Sequence, residues 1–95
     1  MKNRMSIAAI KLDLGHFFLE YNKEYHKDLR DSCYTQCVIY VCRRKGHTLK
    51  DIGEHTFKTI STVYKEFLKI ESILDSGKES DLRTCLIMCK IRLSC

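Results

Sequence analysis

The chain has 95 residues, 44% of them hydrophobic and 31% charged, with no proline or tryptophan and a formal net charge of +5. That length supports one core and hence a single domain over 1–95, and the composition is that of a globular fold rather than a disordered chain. The longest uncharged run, Ser32 to Cys42, has eleven residues, well short of the roughly 20 apolar residues of a membrane helix, so no membrane partner is expected.

The first predicted helix runs from Ser6 to about His26. Ile7, Ile10, Leu14, Phe17, Phe18, Tyr21 and Tyr25 recur there at steps of three and four and make one apolar stripe. Gly15 weakens this helix by about 1 kcal/mol without ending it. Asp31 or Ser32 is placed to cap a second helix reaching about Lys45. Its run Cys37-Val38-Ile39-Tyr40-Val41-Cys42 is apolar on every side, which also suits a strand. No second strand-like run exists to pair with it, and a lone strand leaves backbone groups without partners. The expectation is therefore a central buried helix with Tyr40 and Val41 in the core. Gly46 stops it after Arg43, Arg44 and Lys45, cations that suit the helix dipole at that end.

Thr48-Leu49-Lys50-Asp51 has the form of a capping box and opens a short helix to about His55. Thr59 is placed to cap a fourth helix, with Ile60, Val63, Phe67, Ile70 and Leu74 as its apolar positions. Asp75-Ser76-Gly77-Lys78 signals a turn. Asp81 to Ser94 then reads as a last helix with Leu82, Cys85, Leu86, Cys89 and Leu93 inward. The expected fold class is all-α, a compact bundle of about five helices with short connections.

Seven Lys or Arg against three Asp or Glu lie between Arg43 and Lys69, so most of the positive surplus sits in one stretch. A local basic surface favours a polyanion such as nucleic acid, with a solvated helix face as the plainer reading. Inside that stretch, residues 48–65 have the layout of a helix-turn-helix. Ile52 is the apolar residue of the first helix, and Gly53 lets the two helices cross closely. Thr59 caps the second helix, and Val63 points inward toward Ile52. Thr59, Ser61, Thr62, Tyr64 and Lys65, with Ile60, are then the candidates to meet duplex DNA. Ser and Thr hydroxyls bond bases or phosphates, Tyr bonds phosphate and Lys neutralises it. Phe57 occupies the turn where glycine is common, which points to a longer or differently shaped turn. Two helices packed at an angle with no DNA role is the competing reading.

Six cysteines are present: Cys33, Cys37, Cys42, Cys85, Cys89 and Cys95. Cys33 and Cys37 share a helix face, as do Cys85 and Cys89. Buried thiols acting as small apolar side chains, three disulfides, and four thiolates on zinc are all open readings. No secretory signal is visible, so the expectation is an intracellular chain, nuclear in a eukaryote, with six reduced thiols and no cofactor. His16, His26, His47 and His55 are scattered, and His55 beside Glu54 reads as a surface pair. With no glycine-rich phosphate loop and no Ser-His-Asp order, enzyme activity is not expected.

Cys37-Val-Ile-Tyr-Val-Cys-Arg-Arg-Lys-Gly46, followed by Thr48-Leu-Lys-Asp-Ile52 and by Thr59 with Thr62-Val63, resembles the cyclin-fold repeat of the transcription factor IIB family over about residues 36–70. In that family a central buried helix is followed by a glycine, a Thr-x-x-Glu-Ile helix and a helix with a Thr-Val pair. The family's Gly-Arg-x-Pro lead-in has no counterpart here beyond Arg30 and Asp31. A single repeat fits, without a zinc ribbon. The resemblance implies a cyclin-like bundle whose helix-turn-helix contacts promoter DNA beside the TATA-binding protein. That role would fall on Thr59, Ser61, Thr62 and Lys65, with another transcription factor as a protein partner. Two other functions compete with a DNA-binding, transcription-factor-like domain. One is a cyclin-like module that binds a protein along its central helix, and the other is a secreted, disulfide-stabilised helical effector.

Overall fold

Ser6 starts the first helix by accepting a hydrogen bond from the Ala9 amide at 3.1 Å. The computed structural model describes residues 5–29 and 31–92, apart from the side chain of Ser32. Helix α1 spans Ile7–Tyr25 and ends where His26 takes a left-handed conformation, φ 53°. The Asn22 carbonyl accepts from the Lys27 amide at 3.0 Å and its side-chain oxygen from the Leu29 amide at 3.2 Å. One asparagine thus shapes the link to α2, Asp31–Arg44. Asp31 lies inside the first turn of α2, so the position before it, Arg30, falls outside the described residues.

Helix α2 is followed by Gly46 at φ 94°, a conformation that costs glycine nothing. Arg43 Nη1 donates to the His47 carbonyl at 3.0 Å, and buried His47 places Nε2 2.8 Å from the Met5 carbonyl, which puts the ring proton on that nitrogen. Three further helices complete the chain: α3 Leu49–Thr56, α4 Ile60–Asp75 and α5 Asp81–Arg92. The fold is all-α, and no strand occurs among the described residues, so the 37–42 run is helical.

Helix α2 packs against all four of the others. Tyr34 faces α1, where its hydroxyl donates to the Lys11 carbonyl at 2.8 Å and its ring meets Phe18 edge-on. Tyr40 faces α4 and stacks on Phe67. Every residue from Cys37 to Cys42 is buried, including Tyr40 and Val41. Ile10, Leu14, Ile39, Ile52, Ile70 and Leu86 are fully buried around this axis. Each contributes about 1.5–3 kcal/mol relative to exposure. Arg92 closes α5 onto α1 with two bonds to the Asp13 carboxylate, at 3.2 and 3.3 Å, and lies over the Phe17 ring.

One residue expected to lie on the inward stripe does not: Tyr25, the last residue of α1, is exposed and packs on Tyr21. Ile60, read both as an apolar position of α4 and as one of its outward first-turn side chains, is 52% exposed. Leu93 and the end of the helix expected to reach Ser94 lie outside the described residues. The five described cysteines are free thiols, and Cys95 lies outside the description. No described helix is long and apolar enough to cross a membrane.

Candidate nucleic-acid interface

The connection between α3 and α4 is only three residues, 57–59. Helix α3 begins at Thr48, whose hydroxyl accepts from the Asp51 amide at 3.1 Å. It ends because Phe57 turns left-handed, φ 59° and ψ 41°. The Gly53 carbonyl then accepts from the Phe57 and Lys58 amides, the latter at 2.9 Å. The turn is therefore neither long nor unusual in shape. It has the conformation that glycine favours, held by a phenylalanine at a cost of about 1–2 kcal/mol. Burial does not offset that cost, because Phe57 is 94% exposed.

Gly53 is the second requirement of so short a link. A Cβ at that position would stand 2.5 Å from the Lys58 carbonyl oxygen and 3.6 Å from Val63 Cγ2. The backbone leaving the turn thus passes directly over α3, and only glycine leaves room for it. Ile52 and Val63 are both fully buried beneath this crossing. Thr59 then caps α4, accepting from the Thr62 amide at 3.2 Å and donating to the Thr62 hydroxyl at 2.9 Å.

These caps divide the candidate contact residues. Ser61, Tyr64 and Lys65 are exposed and lie along the outer side of α4. Thr59 is exposed and Thr62 is half-buried, with their hydroxyls bonded to each other. Those two threonines hold the start of the helix in place. The first turn of α4 carries no carboxylate, so its amide end keeps its positive character. Glu66 turns away toward α2, where Gln36 Nε2 lies 3.4 Å from its carboxylate.

Two residues of this face, Lys69 and Leu68, are not among the contact candidates read from the sequence. Lys69 is exposed four residues after Lys65, so Ser61, Lys65 and Lys69 form one polar and basic line. Phe57, Ile60, Tyr64 and Leu68 form an exposed apolar line beside it, at steps of three, four and four. The spacing alone carried this signal, but the core stripe of Val63, Phe67 and Ile70 on the same helix dominates the pattern.

Elsewhere, an open groove of about 720 Å³ lies along α1, with Leu12, Gly15, Leu19 and Tyr34 among the residues that line it. The central part of α2 is covered and does not line it. Of the four histidines, His16, His26 and His55 are exposed and His47 is buried. Among the described residues, no group of three or more His, Cys, Asp or Glu is arranged to hold a metal ion. No protein-family model matches the chain, and comparisons with curated proteins and with solved structures gave no match either.

Proposed function

We propose that the chain is a DNA-binding, transcription-factor-like domain in which α3 and α4 act as a helix-turn-helix on duplex DNA. The observation that carries this reading is the close crossing at Gly53 and Lys58, which fixes α4 with Ser61, Tyr64 and Lys65 outward. In such a unit the second helix enters the major groove and its outward side chains reach bases and phosphates. Lys65 and Lys69 neutralise phosphates, Tyr64 bonds one, and Ser61 is placed to read a base edge. Supporting it are the basic surplus between Arg43 and Lys69 and the resemblance of residues 36–70 to the cyclin-fold repeat. The reading places the chain inside the cell, in the nucleus of a eukaryote, and assigns it no catalytic step.

Fluorescence anisotropy with a labelled duplex, titrated at several salt concentrations, tests this. Phosphate contacts release counterions, so affinity should fall linearly with salt on logarithmic axes. Affinity no tighter than about 10⁻⁴ M at physiological salt, or indifferent to salt, contradicts it.

A second reading has its own observation. The exposed line of Phe57, Ile60, Tyr64 and Leu68 is more apolar than phosphate contact requires. Such a surface suits a protein partner, another transcription factor among them, held on α4 with or without DNA.

A further inference from the structure

Away from the candidate interface, four thiols gather where α5 lies against α2. Cys33 and Cys37 are one turn apart on α2, and Cys85 and Cys89 are one turn apart on α5. Cys37 neighbours Cys89 across the interface closely enough for each thiol to disfavour ionisation of the other, and Cys33 and Cys85 are near Cys37 and near each other. Cys37, Cys85 and Cys89 are fully buried, while Cys33 is only half-buried. Cys42, on another side of α2, neighbours Lys11 and Tyr34 instead.

A helix interface that needs only small apolar side chains is filled as well by alanine or valine. Two Cys-x3-Cys pairs that face each other, with thiol against thiol, also meet the first requirement of a disulfide, which is that the sulfur atoms already be neighbours. The four thiols are not disposed as ligands around a metal. The neighbouring Cys89 thiol, with burial, raises the Cys37 thiol, and burial raises the Cys85 thiol to about 12, so neither reacts first with an oxidant. Cys33, reachable from solvent, is the thiol that does.

We propose that this cluster is an oxidisable site that joins α2 to α5 through a disulfide, with Cys33 as the thiol that meets the oxidant. The oxidant is a low-molecular-weight disulfide such as oxidised glutathione. Cys33 loses its proton to solvent and its thiolate attacks one glutathione sulfur. The old S–S bond breaks and the first glutathione thiolate leaves and takes up a proton. The Cys85 thiol then loses its proton and attacks the Cys33 sulfur, expelling the second glutathione thiolate, which is protonated in turn. Two protein thiols are oxidised to one disulfide and one glutathione disulfide is reduced to two thiols. This site is independent of DNA binding.

The test is oxidation of the folded, reduced protein with oxidised glutathione, followed by alkylation, non-reducing tryptic digestion and mass spectrometry. The expected product is peptide 31–43 joined to peptide 84–90 with the loss of two hydrogens. It should form at the wild-type rate in Cys42→Ser and at least tenfold more slowly in Cys33→Ser. The oxidised protein should also need more urea to unfold than the reduced one. Full alkylation of all thiols after oxidation would overturn the proposal. So would a disulfide confined to 31–43 or joining two molecules. The wild-type peptide map decides the matter even where a serine variant is poorly folded.

Discussion

The carbonyl oxygen of Lys58 lies 2.5 Å from where a Cβ on Gly53 would stand, so the turn and α3 share a space that admits no side chain. Gly53→Ala should therefore destabilise the fold by about 1–3 kcal/mol, despite alanine's better helix propensity. Gly15 supplies the contrast, because nothing lies within 4 Å of a Cβ there. Gly15→Ala should stabilise by about 0.5–1 kcal/mol. Urea denaturation of both variants checks the pair, and equal effects of the same sign would contradict the close crossing.

Phe57 holds a left-handed backbone while almost wholly exposed. Phe57→Gly should raise stability by up to about 1 kcal/mol, since glycine adopts that conformation without the steric cost. A variant that loses stability would show that the Phe57 ring makes contacts that outweigh its backbone strain.

Val41 is buried in the helix that all others surround. Val41→Asp places a carboxylate there without a partner and should cost several kcal/mol, enough to unfold a domain of this size. Circular dichroism should show loss of helix at room temperature. A folded Val41→Asp protein would place α2 at the periphery.

Much of this was legible locally. Thr48 and Thr59 carry capping oxygens in their own side chains, and each caps the helix expected of it. The all-round apolar run from Cys37 to Cys42 announced burial, and the lack of a second strand-like run to pair with it pointed to a helix. Tyr25 misled because periodicity assigns a face without saying where the neighbouring helix stops. Phe57 hid a glycine-type turn, since its conformation is imposed by Gly53 and Lys58 rather than by its own preference. The meeting of Cys33 and Cys37 with Cys85 and Cys89 depends on which faces of α2 and α5 touch, and no local pattern encodes that.

Alkaline pH should destabilise the protein. Burial is the main cause that raises the Cys42 and Cys85 thiols to about 12, above the ordinary thiol value of 9.0. Burial likewise raises the Tyr21 hydroxyl to about 12, from 10.0. Each group is harder to ionise in the folded chain than in the unfolded one. Its stabilising effect is thus complete below the unfolded value and is lost as pH rises toward the folded value. Urea midpoints should fall between about pH 9 and 12, and a midpoint that stays flat over that range would contradict the buried, protonated thiols.

Lys65 and Ser61 share the outer side of α4, whereas Val63 is buried against α3. Lys65→Ala should weaken duplex binding similarly for all sequences and reduce the salt slope by about one. Ser61→Ala should change the preference between sequences by up to about 1–3 kcal/mol. Val63→Ala should lower the melting temperature first and affinity only as a consequence. Anisotropy titrations of the three variants beside wild type separate these outcomes.

The outer face of α4 as the DNA contact is tested most directly by backbone amide NMR during titration with duplex DNA. The account predicts that the largest chemical-shift changes fall on Phe57, Ser61, Tyr64, Lys65 and Lys69, with Ile52 and Val63 little changed. Shifts confined to the groove around Leu12 and Leu19, or no shifts at saturating duplex, would contradict it.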